Sequence, residues 1–264
     1  MIKLNDQRVK TFHFPDGTQK LNIIGNTIQN YICWFYENDE ELVILIFICE
    51  HLNNLYPNSR KYLYMPYIPN ARMDRTHNIN EIFTLKYFSN VINSLEFNDV
   101  IVLDPHSNVS EGLIDHINVV SPAHFIQKSI NKIDDENLSL FFPDEGSMKR
   151  YSGMVDRPYT FGIKKRDWDT GKIQGLDVLG NLDLIKGNNI LIVDDICSRG
   201  GTFFHSAEKL KKLGAEDIYL YVSHCENTIL EGGLLDCGLI KKVFTTNSIF
   251  TKENDLVEVF ELCP

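Results

Sequence analysis

The sequence predicts an α/β fold in which a largely parallel sheet is covered by helices. Short apolar runs alternate along the chain with longer stretches in which apolar residues recur at helical spacing. Several of these runs are apolar nearly throughout, which is typical of strands buried on both faces of a sheet. With 264 residues, of which 43% are hydrophobic, the chain can bury a full core.

Six strands and three helices are predicted in an order that favours parallel pairing. The strands are predicted from their content of Val, Ile, Leu, Tyr and Phe, and the helices from apolar residues three and four positions apart. In chain order they are strand 61–64, helix 82–95, strand 100–103, helix 122–133, strands 138–142 and 189–193, helix 202–213, and strands 218–222 and 242–245. Residues 164–175 lack an apolar period, so a mobile loop or flap is expected there. A division into two lobes, 1–134 and 135–264, is predicted.

Composition argues against several classes of protein. The formal net charge is -10 and no stripe of Lys and Arg offsets it, so nucleic acid is not an expected partner. The six cysteines lack metal-site spacing, which predicts free thiols in a reducing compartment. The first ten residues have no apolar signal core, and the apolar run 42–49 is shorter than the ~20 residues of a membrane span. We therefore expect a cytoplasmic protein with no membrane partner.

The most informative segment is NNILIVDDICSRGGTFFHSAEKLKKLGA, at residues 188–215. It combines a buried strand, two carboxylates, a glycine-containing turn and an amphipathic helix. Asp194 and Asp195 suit either the 2- and 3-hydroxyls of a ribose or Mg²⁺, and backbone N–H groups of residues 198–202 suit a phosphate. An ordinary strand, loop and helix with solvated acids is the alternative. Since no Gly-Lys-Ser/Thr follows, this is not a Walker A loop.

This segment resembles the ribose-phosphate site of type I phosphoribosyltransferases and of their relatives, the ribose-phosphate pyrophosphokinases. Residues 65–75, MPYIPNARMDR, are similar to a Pro-Tyr-x-Pro-Tyr-Ala-Arg-Gln-Asp-Arg stretch that the pyrophosphokinases carry and the transferases lack. Further similar segments follow the family's order: FHFPDG at 12–17, LDPHS at 103–107, FPDEGSMKR at 142–150, KKR at 164–166 and TTNSI at 245–249. The resemblance implies two tandem phosphoribosyltransferase-like lobes with mainly parallel sheets flanked by helices. It also implies a homo-oligomer, a dimer or a hexamer.

The resemblance implies an ATP site built from the N-terminal lobe. Phe14 would stack on adenine and Asp16 would accept from its exocyclic amine, in a turn that reaches across a subunit interface. Arg72 and Arg75 would hold the polyphosphate, oriented by Asp74. A surface ion-pair cluster is the alternative for these arginines.

The resemblance also implies catalytic residues and ligands for Mg²⁺, which is the expected cofactor. His106 would lie near Mg²⁺-ATP and, with Asp144, is a candidate metal ligand. Lys164 and Arg166 would stand at the foot of a flap and neutralise charge on the transferred phosphorus. The implied diphosphate loop contains Asp144, Gly146 and Ser147, whereas Glu145 departs from the small residue usual in the family.

The implied ribose-phosphate site differs from the family in its phosphate loop. Its residues are Asp194, Asp195, Ser198, Arg199, Gly200, Gly201 and Thr202. Where the family commonly reads Asp-Thr-Gly-Gly-Thr, this chain has Ser198 and Arg199, which make the loop more cationic. Arg199 would suit a second phosphate, as in ADP-ribose. Two acceptors therefore stay open: ribose 5-phosphate, giving phosphoribosyl pyrophosphate, and ADP-ribose, in NAD resynthesis.

The implied activity is that of an ATP-dependent diphosphokinase, an enzyme whose partners are ATP and a phosphorylated ribose. The C1 hydroxyl of the sugar would attack the β-phosphorus of ATP and AMP would leave. Two alternatives remain: a phosphoribosyltransferase that consumes phosphoribosyl pyrophosphate, and a non-catalytic regulatory homologue. The presence of Lys164, Arg166, His106, Asp194 and Asp195 together disfavours the homologue.

Overall fold

The protein divides into two compact units. The structure, a computed structural model, describes residues 1–166 and 173–262, except for the side chains of 164–176. The first unit is Met1–Ser121, and the second begins at Pro122. The boundary therefore lies at 121/122 rather than after residue 134. The reason is that Ile126 and Ile130, on the helix predicted at 122–133, are buried in a core of the second unit.

The first unit contains a six-stranded sheet. Its strands are β1 (Ile2–Leu4), β2 (Gln7–Arg8), β5 (Gln29–Trp34), β6 (Arg60–Tyr64), β7 (Asp99–Leu103) and β8 (Ile117–Val120), in the order β2-β1-β5-β6-β7-β8. Strands β5 to β8 are parallel, while β1 runs antiparallel to both of its neighbours. Strands β3 (Lys10–His13) and β4 (Gln19–Asn22) form a separate antiparallel hairpin.

Helices α1 (Glu40–Leu55), α2 (Thr84–Ser94) and α3 (Val109–Leu113) complete this unit. Helix α1 was not predicted from the sequence. Its buried face includes Leu45, Ile48 and Leu52, which pack with strand residues in the core. Within the described residues, every helix is too short or too polar to cross a membrane.

The second unit contains a seven-stranded sheet. Its strands are β9 (Ser139–Phe142), β10 (Tyr159–Arg166), β11 (Ile173–Leu179), β12 (Ile190–Cys197), β13 (Ile218–Cys225), β14 (Lys242–Thr246) and β15 (Val257–Phe260). They lie in the order β11-β10-β9-β12-β13-β14-β15, and every pair is parallel except β10 with β11. Helices α4 (Ala123–Ile133), α5 (Glu145–Tyr151) and α6 (Gly201–Lys212) accompany the sheet.

The predicted α/β class is confirmed, and each of the nine predicted elements is present with its ends within four residues of the expected positions. The loop predicted at 164–175 is in part wrong. Strand β10 runs through Arg166 and pairs with β11, Lys164 opposite Leu176 and Lys165 opposite Gly175. Backbone pairing in a hairpin requires no apolar period, which is why the sequence pattern missed these strands. Residues 167–172, and the predicted mobility of a flap, lie outside what the structure describes.

Candidate active site

The second sheet has a topological switch point between β9 and β12. From β9 the chain continues to β10 on one side, whereas β12 pairs with β9 on the other side. Ligands in open α/β sheets bind beyond the carboxyl ends of strands at such a point. The segments that follow β9 and β12 contain the predicted diphosphate loop and the predicted sugar-phosphate loop. The topology therefore brings these two predicted segments side by side.

Asp194 and Asp195 lie in the last half of β12, rather than after the strand. Asp195 is only 6% exposed. Its Oδ2 lies 3.8 Å from Nη1 of Arg150, which comes from α5 and sits over the Tyr151 ring at 5.6 Å. A guanidinium beside this carboxylate offsets the cost of its burial. Arg150 thus links α5 to β12 across the switch point.

Arg150 is not among the site residues predicted from the sequence. It lies within FPDEGSMKR, but nothing in the local spacing separates it from Lys149. Its partner is 45 positions away in the chain, so the contact depends on the β9–β12 pairing. Only the fold reveals it.

The predicted diphosphate loop forms the start of α5. Asp144 Oδ1 accepts from the Ser147 N–H at 3.1 Å, and Ser147 Oγ accepts from the Asp144 N–H at 3.3 Å, which is a capping box. A Cβ on Gly146 would lie 3.2 Å from Asp144 Oδ1. Glu145 is exposed and pairs with Lys149 at 2.8 Å. The added acid is therefore turned toward a cation of its own helix.

The predicted sugar-phosphate loop, residues 198–202, leads directly into α6. Gly200, with φ +80°, is the residue that precedes the helix, and its carbonyl accepts from the Phe204 N–H at 2.9 Å. A Cβ there would lie 2.6 Å from Leu234 Cδ2, so both backbone and packing favour glycine. The first N–H groups of a helix have no partner within it, which suits them to an anion.

Arg199, the residue that departs from the family, is paired. Its Nη2 lies 3.3 Å from Glu231 Oε2, and the side chains are 73% and 62% exposed. The extra positive charge of this loop is therefore partly balanced by an acid of the same unit.

In the first unit, the segment after β6 is joined to the end of β7 by the Leu103 N–H, which donates to the Pro66 carbonyl at 3.0 Å. Asp74 is buried and accepts twice from Arg75, from Nε at 2.7 Å and from Nη2 at 3.0 Å. The Arg75 guanidinium holds the pKa of Asp74 below its usual range, and the charge of His106 acts in the same direction. The expected orienting role of Asp74 thus has a geometric basis for Arg75.

His106 is half-buried and follows Asp104, a buried residue in the left-handed region with φ +41°. Arg72 is exposed. Asp74, Arg75 and His106 therefore lie near one another in the segments that follow β6 and β7.

The turn between β3 and β4 carries Phe14 and Asp16. Phe14 is 51% exposed, and its N–H donates to the Thr18 carbonyl at 2.8 Å. Asp16 Oδ1 accepts from the Thr18 hydroxyl at 2.7 Å and from the Thr18 N–H at 3.0 Å, which lowers the pKa of Asp16. Its two hydrogen bonds from Thr18 therefore favour the ionised form of Asp16.

Some of the predicted site residues belong to different units. His106 belongs to the first unit and Asp144 to the second, and Asp144 Oδ1 is engaged in the helix cap. The side chains of Lys164 and Arg166 are outside the part of the protein that the structure describes. Within the residues that the structure describes, no group of three or more His, Cys, Asp or Glu is placed to hold a metal ion.

The chain is similar to known proteins along most of its length. The family model of the phosphoribosyl transferase domain matches residues 124–255. This chain belongs to the phosphoribosyl transferase domain family. The matched region begins in α4 and ends just before β15, so it covers nearly all of the second unit.

Relatives extend the likeness beyond the phosphoribosyl transferase domain. The ribose-phosphate pyrophosphokinase of Saccharolobus solfataricus is 25% identical, covering 96% of this chain and 88% of the relative. That of Thermococcus kodakarensis is 28% identical, covering 96% and 90%. The predicted resemblance to the ribose-phosphate pyrophosphokinases, a family of enzymes, is therefore confirmed.

A solved structure supports the predicted pair of phosphoribosyltransferase-like lobes. The phosphoribosylpyrophosphate synthetase from Mycobacterium smegmatis matches with a TM-score of 0.78 at 18% identity. The match covers 96% of this chain and 86% of the synthetase. At this identity the likeness shows the fold, and the fold class is confirmed.

Proposed function

We propose that the protein is an ATP-dependent diphosphokinase that transfers the β,γ-diphosphate of ATP to the C1 hydroxyl of a 5-phosphorylated ribose and releases AMP. The proposal rests on one observation, the contact between the acidic Asp74 and the basic Arg75 in the segment after β6. Asp74 is buried and holds Arg75 by two hydrogen bonds, so a guanidinium is oriented at a sheet edge. A transferase that consumes an activated sugar has no need of this segment, which resembles the pyrophosphokinase motif.

The proposed roles follow from charge and position. The first N–H groups of α6 hold the sugar 5-phosphate, and Asp195, beside the Arg150 guanidinium, accepts from a ribose hydroxyl. Arg72 and Arg75 bind the polyphosphate of ATP. Lys164 and Arg166 stabilise the charge that develops on the transferred phosphorus, and positioning supplies much of the remaining rate.

We propose Mg²⁺ as the ion that accompanies ATP. The donor chemistry fits, since Asp194 and Asp195 provide carboxylate oxygens at the switch point and Mg²⁺ commonly takes one or two carboxylates together with substrate phosphates. When bound, the ion would neutralise phosphate charge.

Two acceptors fit the proposed site. Ribose 5-phosphate needs only the loop amides and the carboxylates. ADP-ribose carries a second phosphate, and the exposed Arg199 guanidinium beside the loop favours it as an alternative acceptor.

We also propose that the protein acts as a homo-oligomer. The β3–β4 hairpin pairs with no other strand among the described residues, and half of the Phe14 ring is exposed at its tip. An exposed aromatic ring on a hairpin suits an adenine bound by a neighbouring copy. The mass in solution, measured by light scattering with and without ATP, tests this.

The activity is tested by AMP release from Mg²⁺-ATP, followed by chromatography, with ribose 5-phosphate, with ADP-ribose and with no sugar. AMP release that requires either sugar supports the proposal and identifies the acceptor. Absence of AMP release with both sugars, or consumption of phosphoribosyl pyrophosphate instead, would overturn it.

A further inference from the structure

Residues 226–235, here named the wall segment, pack directly against the sugar-phosphate loop. The Glu226 N–H donates to the Cys197 carbonyl at 2.8 Å, which ties the start of the segment to the end of β12. A Cβ on Gly232 would lie only 2.0 Å from the Arg199 carbonyl oxygen. The backbone of the wall segment is therefore held against residue 199 and cannot move closer.

This packing places a carboxylate beside the loop. Glu231 immediately precedes Gly232, and its Oε2 lies 3.3 Å from Arg199 Nη2. Both side chains are mostly exposed, so the ion pair is weak and exchangeable. A phosphate, which binds a guanidinium by two parallel hydrogen bonds, is a stronger partner for Arg199 than a single carboxylate contact.

We propose that Glu231 is a specificity-determining residue that competes with a second phosphate of the ligand for Arg199. A sugar with one 5-phosphate binds the amides of α6 and leaves the Arg199–Glu231 pair intact. A sugar with a diphosphate in that position must displace Glu231 to reach the guanidinium. This inference rests on the proposed function, because it assigns residues 198–202 to the phosphate of the sugar.

The test is binding by titration calorimetry at low ionic strength, without ATP, using ribose 5-phosphate and ADP-ribose on the full chain. Glu231→Gln should tighten ADP-ribose binding about two- to fivefold, the size expected for loss of one exposed ion pair, and leave ribose 5-phosphate unchanged. In an Arg199→Ala background, Glu231→Gln should have no effect on either ligand. Glu216→Gln, which removes an exposed acid elsewhere in the same unit, is the matched control.

Three results would overturn the inference. If Glu231→Gln tightened the binding of both ligands equally, Glu231 would act only through its negative charge on the whole site and not through Arg199. Weaker ADP-ribose binding in Glu231→Gln would mean that Glu231 orients Arg199 for the ligand. ADP-ribose binding that is the same in wild type and Glu231→Gln, or that is undetectable in both, would mean that Glu231 does not compete for Arg199. Since no turnover is measured, the outcome can be read even if the protein releases no AMP.

Discussion

Asp74 commits both of its carboxylate oxygens to one guanidinium. Arg75 is 70% exposed while Asp74 is buried. The buried carboxylate therefore holds in place a guanidinium that faces solvent. Holding one orientation of a long side chain reduces the entropy lost when it binds a phosphate. Asp74 is thus better described as a positioning residue than as a ligand of ATP.

Asp74→Asn should weaken ATP binding about three- to tenfold, since Arg75 loses a charge-assisted, two-bond partner. Fluorescence or calorimetric titration with ATP measures it. Asp115→Asn, which removes an exposed acid of the same unit, is the control. Equal effects of the two substitutions would show that net charge, and not orientation, is responsible.

The lowered pKa of Asp74 also predicts a pH dependence. The folded-state pKa lies below the unfolded one, so the stabilisation is complete above about pH 4 and is lost as pH falls through the folded pKa. The difference in free energy of unfolding between wild type and Asp74→Asn should therefore shrink below about pH 4. Urea unfolding from pH 2 to pH 7 measures this difference. A constant difference across that range would contradict the ion pair.

Lys164→Ala should lower kcat about a hundredfold while leaving the KM for ATP nearly unchanged, because charge on the transferred phosphorus develops only in the transition state. Lys165→Ala, which removes the same charge one strand position away, is the matched control. Equal loss of kcat and of ATP affinity would argue against a catalytic flap.

At the scale of elements, the wall segment depends on one glycine. Gly232→Ala should destabilise the protein by about 1 to 3 kcal/mol and weaken ribose 5-phosphate binding, because the added methyl meets the Arg199 carbonyl. Urea unfolding and calorimetry measure the two effects. A Cβ on Gly233 meets no atom within 4 Å, so Gly233→Ala is the matched control. Similar behaviour of both variants would mean that the segment moves away at little cost.

One element was missed because its apolar pattern is interrupted. Strand β5 was missed because it begins with Gln29 and Asn30, and Asn30 is fully buried. Its side chain accepts from the Asn26 N–H at 2.8 Å and donates to the Asn26 carbonyl at 2.9 Å. A polar residue satisfied in this way breaks the pattern without breaking the strand.

The candidate site was predicted where its residues are contiguous in the chain. Residues 194–202 and 72–75 could be recognised as local motifs; the first runs from the last half of β12 into α6, and the second lies between β6 and α2. The contacts of Arg150 with Asp195 and of Arg199 with Glu231 join residues 45 and 32 positions apart. Such contacts depend on strand order, which local patterns do not contain.

On the scale of the whole molecule, each unit has its own hydrophobic core. Leu63 is fully buried in the first and Leu220 in the second. Leu220→Ala should lower amide protection in the second unit by about 2 to 5 kcal/mol, and Leu63→Ala should do so in the first. Native-state hydrogen exchange measures each unit separately. An equal loss of protection in both units from either variant would indicate a single cooperative structure.

The central position of β12 has a consequence for how the protein folds. Its neighbour β9 lies about 50 residues earlier in the chain, with Ile190 opposite Ser139, whereas the β10–β11 hairpin between them is closed locally. Closing a long loop costs entropy before the new contacts repay it, so local hairpins form faster than distant parallel pairs. The turn at residues 198–202, proposed to bind phosphate, should therefore become ordered late in folding, and a nascent chain that has completed its hairpin still lacks the proposed site.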